Sequence, residues 1–271
     1  MRNRRRRDFW DFWDADSEFM TVAGGFLPGG ATFDGTNDGA FRASQPTGAV
    51  DGSRFLASLW FKKRGGDGTL TQLVGTGATW RILSSTDNTV EARLQAPGGT
   101  PQVFRNTSTT FTANPNAWHH FLCWGDTNAA AGAKTLEIMI NGAADQGAIT
   151  DAGAAFDIDY TIGNVGLGER VSTGPVHDRL WNGDLAEVAI YFNPPADFLA
   201  SGAANILSKF RTTAGRAVDL GTDGSRPFGT AATFYHSIRP GDAASALATN
   251  RGTGGAVTAV GSYDLVAGPN G

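Results

Sequence analysis

Residues 181–192 read Trp181-Asn182-Gly183-Asp184-Leu185-Ala186-Glu187-Val188-Ala189-Ile190-Tyr191-Phe192. After a Trp-Asn-Gly turn, apolar residues alternate with polar or small ones, the period-two pattern of a strand with one face in a core. Leu185, Val188 and Ile190 supply the apolar face, with Asp184, Glu187 and alanines between them. The alternation slips by one residue between Leu185 and Val188, which predicts a β-bulge or the start of the strand at that point. The spacing of Asp184 and Glu187 places the two carboxylates on opposite faces of such a strand.

Working outward, the chain from about residue 31 is a series of short strand patterns separated by glycine-rich turns. The predicted strands are Ala31–Asp34, Ala40–Ala43, Phe55–Lys62, Thr69–Val74, Trp80–Ser84, Thr89–Leu94, Gln102–Asn106, Trp118–Trp124, Leu136–Ile140, Tyr160–Ile162 and Leu185–Phe192. Phe55–Lys62 carries bulky apolar side chains on both parities, as a strand covered on both faces does. Asn141-Gly142 after Leu136–Ile140 is a tight-turn signal. Regular short strands with such turns predict an all-β sandwich or barrel. One helical window, Ala196–Arg211, follows Pro194-Pro195, with Phe198, Leu199, Ile206, Leu207 and Phe210 at near-helical spacing. The tail, residues 212–271, is rich in Gly, Ala and Thr but holds strand-like patterns at 233–238 and 256–260, so it is read as completing the same β-sandwich.

The 271 residues suffice for a large core, and 37 glycines with 18% charged residues fit a turn-rich β protein. A net charge of −4 argues against nucleic acid as the main partner. The single cysteine, Cys123, excludes an intrachain disulfide and reads as a buried, inert thiol. No window reaches the ~18 apolar residues needed to cross a bilayer. The basic start is followed by Asp-Phe-Trp-Asp-Phe-Trp-Asp rather than an apolar signal-peptide core, which predicts synthesis in the cytoplasm without signal-directed export.

Residues 1–20 differ from the rest. Arg4, Arg5, Arg6 and Arg7 precede Phe9, Trp10, Phe12 and Trp13, with Asp8, Asp11 and Asp14 interleaved. On a helix at ~100° per residue the four aromatics fill an arc of about 160°, and the aspartates gather opposite. Such a segment is too short to hold a helix alone and needs a surface to lie on. That surface is either the body of this protein or another subunit. A membrane surface fits less well, because the polar face is acidic. The arginine run is either a solvated tail or an electrostatic dock for an acidic partner surface, and the carboxylates that follow cancel it locally against nucleic acid.

Three segments in order carry a family resemblance: Trp118-His119-His120-Phe121-Leu122-Cys123-Trp124, Leu136-Glu137-Ile138-Met139-Ile140-Asn141-Gly142, and Trp181-Asn182-Gly183-Asp184 running into Glu187-Val188-Ala189-Ile190-Tyr191. They resemble the laminin-G-like, concanavalin A-like jelly roll, with its W-H-H strand, its hairpin ending in N-G and its closing E-V-x-(I/L)-(Y/W) strand. Phe33-Asp34-Gly35-Thr36-Asn37-Asp38 and Leu59-Trp60-Phe61-Lys62 stand where that family has F-D-G-x-x-D and x-W-F-K. The resemblance covers residues 25–200 and implies an antiparallel jelly-roll sandwich preceded by the extended or short helical arm. It implies little about function, because the fold hosts lectins, hydrolase domains, adhesion modules and virion proteins. A fainter likeness lies in the tail, where Asn250-Arg251-Gly252-Thr253-Gly254-Gly255-Ala256-Val257-Thr258 is similar to the ends of laminin-G-like proteins encoded by tailed phages and prophages.

Hydrolases on this fold carry two carboxylates on one strand face, as Glu-x-Asp-x-(x)-Glu, at the separation that glycoside hydrolysis needs. Glu137 is alone in its strand, Asp184 and Glu187 are split by alternation, and Asp157 and Asp159 lack the motif. No enzyme is expected. His119 and His120 belong to the strand motif, where one packs inside and one points out, and no His/Cys cluster has zinc spacing. The resemblance raises calcium, for which Asp34, Asn37 and Asp38, or Asp126 and Asn128, offer oxygen ligands, although Asp, Asn and Gly also make turns unaided. For glycan contact, Trp60, Trp118 and Trp181 match core positions of the family, which leaves Trp80 after a Gly-Thr-Gly-Ala turn.

The leading expectation is a non-enzymatic structural protein of a phage virion, either a capsid decoration or head-fibre protein or a tail-associated one. Residues 1–20 would form the docking arm, residues 21–211 the jelly roll ending in a short helix, and residues 212–271 the segment that completes it. Arg4–Arg7 with Phe9, Trp10, Phe12 and Trp13 would dock it on capsid or tail subunits, four buried rings supplying on the order of several kcal/mol. A homo-oligomer, host-surface glycans as further partners, no membrane and no cofactor complete that reading. The alternative is a carbohydrate-binding adhesin or lectin module.

Overall fold

The Asn182–Phe192 strand lies inside a sheet rather than at its edge, with Arg54–Lys63 on one side and Gly29–Asp34 on the other. These positions belong to a computed structural model that describes residues 26–171 and 177–270. The arm, with Arg4, Arg5, Arg6, Arg7, Phe9, Trp10, Phe12 and Trp13, lies outside the described residues.

The first sheet runs Ala143–Ala144, Thr135–Ile140, His119–Asp126, Arg54–Lys63, Asn182–Phe192, Gly29–Asp34 and Asp264–Ala267, with Phe234–His236 as a further neighbour of Asn182–Phe192. The second runs Ile149–Ala152, Gln102–Asn106, Val90–Gln95, Trp80–Ser84, Thr71–Thr76, Val165–Leu167, Gly39–Arg42 and Thr258–Val260. Every pairing within them is antiparallel. The C-terminal residues thus add strands to both sheets. A short ribbon, Arg170–Val171 with His177–Asp178, lies beside them.

Between the sheets lies the main core, including Phe33, Phe55, Phe61, Trp80, Phe121, Trp181, Leu185, Val188 and Ile190. Removing this apolar surface from water is the dominant favourable contribution to the fold. The first sheet buries its other face as well. Leu56, Leu122, Met139, Ala189 and Tyr191 pack under Ile206, Phe210, Leu220 and Tyr235. Trp60 and Ala186 meet Ala217, with Phe26 and Trp118 packed alongside. Residues 196–239 therefore act as a cover, and this is why the Arg54–Lys63 strand is apolar on both parities.

The bulge is present. Ala186 pairs with Trp60 and Ala189 with Ser58, so Glu187 and Val188 together oppose the one residue Leu59. Glu187 adopts φ +46°, which re-aims its side chain. At the other predicted turn, Asn141 and Gly142 both take positive φ, 52° and 89°, as a two-residue hairpin of this hand requires.

Three expectations change. The helical window is two short helices, Ala196–Ala200 and Ala203–Ser208, interrupted at Gly202 with φ +92°. Tyr160–Ile162 is not a strand. Asp51 accepts the Tyr160 N–H and Asp159 accepts the Thr161 N–H, so side chains take the donors that a ladder would use. Short strands at Ile149–Ala152, Val165–Leu167 and Asp264–Ala267 went unread, being three or four residues long.

Candidate functional site

Alternation predicts that Asp184 and Glu187 face opposite ways; the bulge overturns this. Leu185 and Val188 point into the main core, while Asp184 and Glu187 both lie on the covered face, each in its own network. Asp184 takes Lys62 Nζ at 3.0 Å, Arg64 Nε at 2.5 Å and the Thr32 hydroxyl at 2.8 Å. Glu187 takes the Tyr235 hydroxyl at 2.7 Å and the Ser237 hydroxyl. Asp184 thus ties together neighbouring strands of its own sheet and Glu187 ties that sheet to the covering segment, and neither is free to reach a substrate.

The candidate glycan contact Trp80 also requires correction. It is 1% exposed, with its ring among Phe55, Phe192 and Phe234 at centroid distances of 5.6, 5.3 and 6.4 Å. The turn before it exposes Gly77 and Ala78, but Trp80 is the first inward residue of its strand, so a glycan cannot reach it. Trp60 and Trp181 are buried, and Trp118 is half-buried with its indole N–H donated to the Ala267 carbonyl.

The calcium candidates make turns. Asp34 accepts the N–H groups of Thr36 and Asn37, and Asp38 accepts those of Asp34 and Ser262. Asp126 accepts the Asn128 N–H. These carboxylates serve the turns, and among the described residues no three His, Cys, Asp or Glu side chains are grouped to hold a metal. Buried His120 contacts the Ser58 hydroxyl at 2.9 Å and half-buried His119 packs edge-on to Phe111. Burial pushes the Cys123 thiol pKa up, away from reactivity.

The outer face of the second sheet is only partly shielded, with Gln72, Leu83 and Glu91 buried on it and Arg81, Arg93 and Phe104 half-buried. Trp80 and Ile82 point inward from one strand, and Ala92 and Leu94 from the next. Arg81 and Arg93 therefore point outward, and they are directly paired across the ladder. Arg93 is held by Glu91 in a two-pronged pair at 2.6 and 2.9 Å and lies over the Phe104 ring. The ribbon brings up Arg170, paired with Asp178, and then Arg179, whose carbonyl accepts the Gln72 N–H. Beneath the ribbon, Glu169 is fully buried against His177, and its burial raises its pKa. A cavity of about 230 Å³ opens beside Gly77, Asn164 and Arg170. A second concavity, about 460 Å³, lies at a rim between Ser108, Phe111, His119, Asn141 and Asp145. Alternation in Trp80–Ser84 and Val90–Gln95 was the signal that could have found Arg81 and Arg93; nothing local announces Arg179.

The outside comparisons agree with this architecture. The family model of the concanavalin A-like lectin/glucanases superfamily matches residues 34–194. Among solved structures, a Bacteroides ovatus protein proposed to bind carbohydrate superposes with TM-score 0.59 at 13% identity, over 89% of this chain. This chain spans 60% of the length of that protein. A heptameric SAP-like pentraxin from Limulus polyphemus superposes with TM-score 0.52 at 12% identity, over 90% of this chain and 97% of its own. At such identities these are likenesses of fold. No curated protein matches the chain. With a family match over more than half its length and a two-sheet antiparallel sandwich to go with it, the chain belongs to the concanavalin A-like lectin/glucanases superfamily.

Proposed function

We propose that this chain is a non-catalytic glycan-binding module. The observation that carries the reading is the asymmetry of the sandwich. One sheet is sealed on its outer face by residues 196–239, whereas the other presents an outer face of Arg81, Arg93, Phe104 and Arg179 that residues 196–239 leave uncovered. Polar groups beside an aromatic ring suit a sugar, which offers hydroxyls on its edge and C–H groups on its faces. Catalysis fits less well. The carboxylates of the central strand are saturated internally, and Asp51, whose pKa is raised by burial and then by the nearby Asp159 carboxylate, spends an oxygen on the backbone of residues 160–161, as Asp159 does on the Thr161 N–H. A glycan array probed with the full chain is expected to show saturable binding with no release of reducing ends from the bound sugars. A blank array, or released reducing ends, overturns the reading.

A second reading concerns where the module is carried, and the composition of residues 1–20 favours it. Four arginines and four large aromatics in ten residues suit burial against a partner, and the phage virion is the assembly we propose. The jelly roll would be displayed outward on capsid or tail subunits. Deleting residues 1–20 is expected to leave the unfolding midpoint unchanged and to abolish incorporation into particles. Normal incorporation of the truncated chain rejects it.

A further inference from the structure

Arg81 and Arg93 face each other across two central strands of the second sheet, an arrangement that destabilises a ladder unless counter-charge is supplied. Glu91 supplies it to Arg93, and Asp178 supplies it to Arg170. Arg170 stands close to Gly77, whose carbonyl accepts a hydrogen bond from Arg81 Nη1 at 3.2 Å, so the ribbon and the strand converge at that turn. Among the described residues no carboxylate pairs with Arg81 or Arg179. Arg81 Nε is moreover buried with no hydrogen-bond partner. Four guanidiniums against the two carboxylates Glu91 and Asp178 leave two positive charges in excess, on a chain whose net charge is −4. Burial and neighbouring arginines both disfavour the charged forms, lowering the Arg81 pKa to about 10 and lowering that of Arg179. An anion seated between them would relieve both costs.

We propose that this arginine face binds the acidic group of a glycan, a carboxylate or a sulfate ester, with Arg81 and Arg179 as the donors that hold it. The inference rests on the glycan-binding reading and specifies its ligand. Guanidinium forks match the planar oxygens of a carboxylate or two oxygens of a sulfate. The adjoining cavity of about 230 Å³ lies where the sugar ring would follow. Glu91 and Asp178 flank the arginines, an arrangement that accepts one isolated acidic group and repels a continuous polyphosphate.

The test is calorimetric titration of the full chain with paired probes: hyaluronan hexasaccharide against its carboxyl-reduced form, and a singly sulfated oligosaccharide against its desulfated form. At least one acidic probe is expected to bind tenfold or more tightly than its neutral partner, and which one does separates carboxylate from sulfate. Arg81→Gln and Arg179→Gln are each expected to weaken that binding at least tenfold. Arg81→Gln is also expected to keep or raise the unfolding midpoint, because it removes one of two opposed like charges; a fall would mark Arg81 as structural. Arg226→Gln, on the cover over the other sheet, is the control and should leave binding unchanged. Equal loss in the control, or equal affinity for single-stranded DNA, overturns the proposal in favour of unselective polyanion attraction. Neutral sugars binding as well as acidic ones overturns it while leaving the glycan-binding reading in place. Failure of every sugar sinks both.

Discussion

Glu187 concentrates several consequences of one bulge. It is 2% exposed, its backbone is left-handed, and its carboxylate reaches Tyr235 and Ser237 in the covering segment. Burial raises its pKa to about 7, against the opposing pull of the two hydroxyl donors. The folded chain therefore holds a proton between the ordinary value of 4.5 and about 7 that the unfolded chain has released. Stability from this group falls as pH rises through that window. Glu187→Gln, neutral at every pH, should gain on the parent by on the order of 2–3 kcal/mol in urea unfolding between pH 5 and pH 8. An advantage that does not grow with pH sinks this account of Glu187. Trp80 teaches the converse lesson: a residue after a glycine turn looks free in sequence, yet the first inward position of a strand belongs to the core.

At the level of elements, length decided what could be read. The strands of five or more residues show at least two cycles of alternation, and their register follows from which parity is apolar. Asn182–Phe192, Arg54–Lys63 and Thr135–Ile140 were legible for that reason, as was the slip that marks the bulge. Val165–Leu167 and Arg170–Val171 are too short to carry a period; the first is recruited by pairing with Thr71–Thr76 and Gly39–Arg42, far back in the chain, and the second by its neighbour His177–Asp178. The broken helix shows the same limit. Apolar spacing over 196–211 records which residues meet the first sheet, but Gly202 decides that they do so as two turns of helix rather than one rod.

For the molecule as a whole, burial on both faces of the first sheet sets the acid response. His120 sits between that sheet and the cover beside Ser58, and His236, on the main-core face with Phe234, contacts the Leu247 carbonyl. Burial pushes their pKa values down to about 3 and about 4. The unfolded chain takes up these protons first, so stability is lost as pH falls from about 6.5, by at most about 1.4 kcal/mol per pH unit for each histidine. Glu187 opposes this over part of the range, so the decline should be steeper in the Glu187→Gln background. Urea midpoints measured in that background between pH 7 and pH 4 check it; a flat profile means that the histidines are not buried as described.

Sequence alone determined the all-β class, the 182–192 strand and the slip in its alternation, because hydrophobic periodicity and turn chemistry are local properties, while the antiparallel jelly roll was implied by the family resemblance. Tertiary structure alone decided that Asp184 and Glu187 share a face, that Trp80 is unreachable, and that the arginines of three separate segments meet on one sheet. Each of those depends on the register between strands and on what covers them, and both are set by packing between residues far apart in the chain.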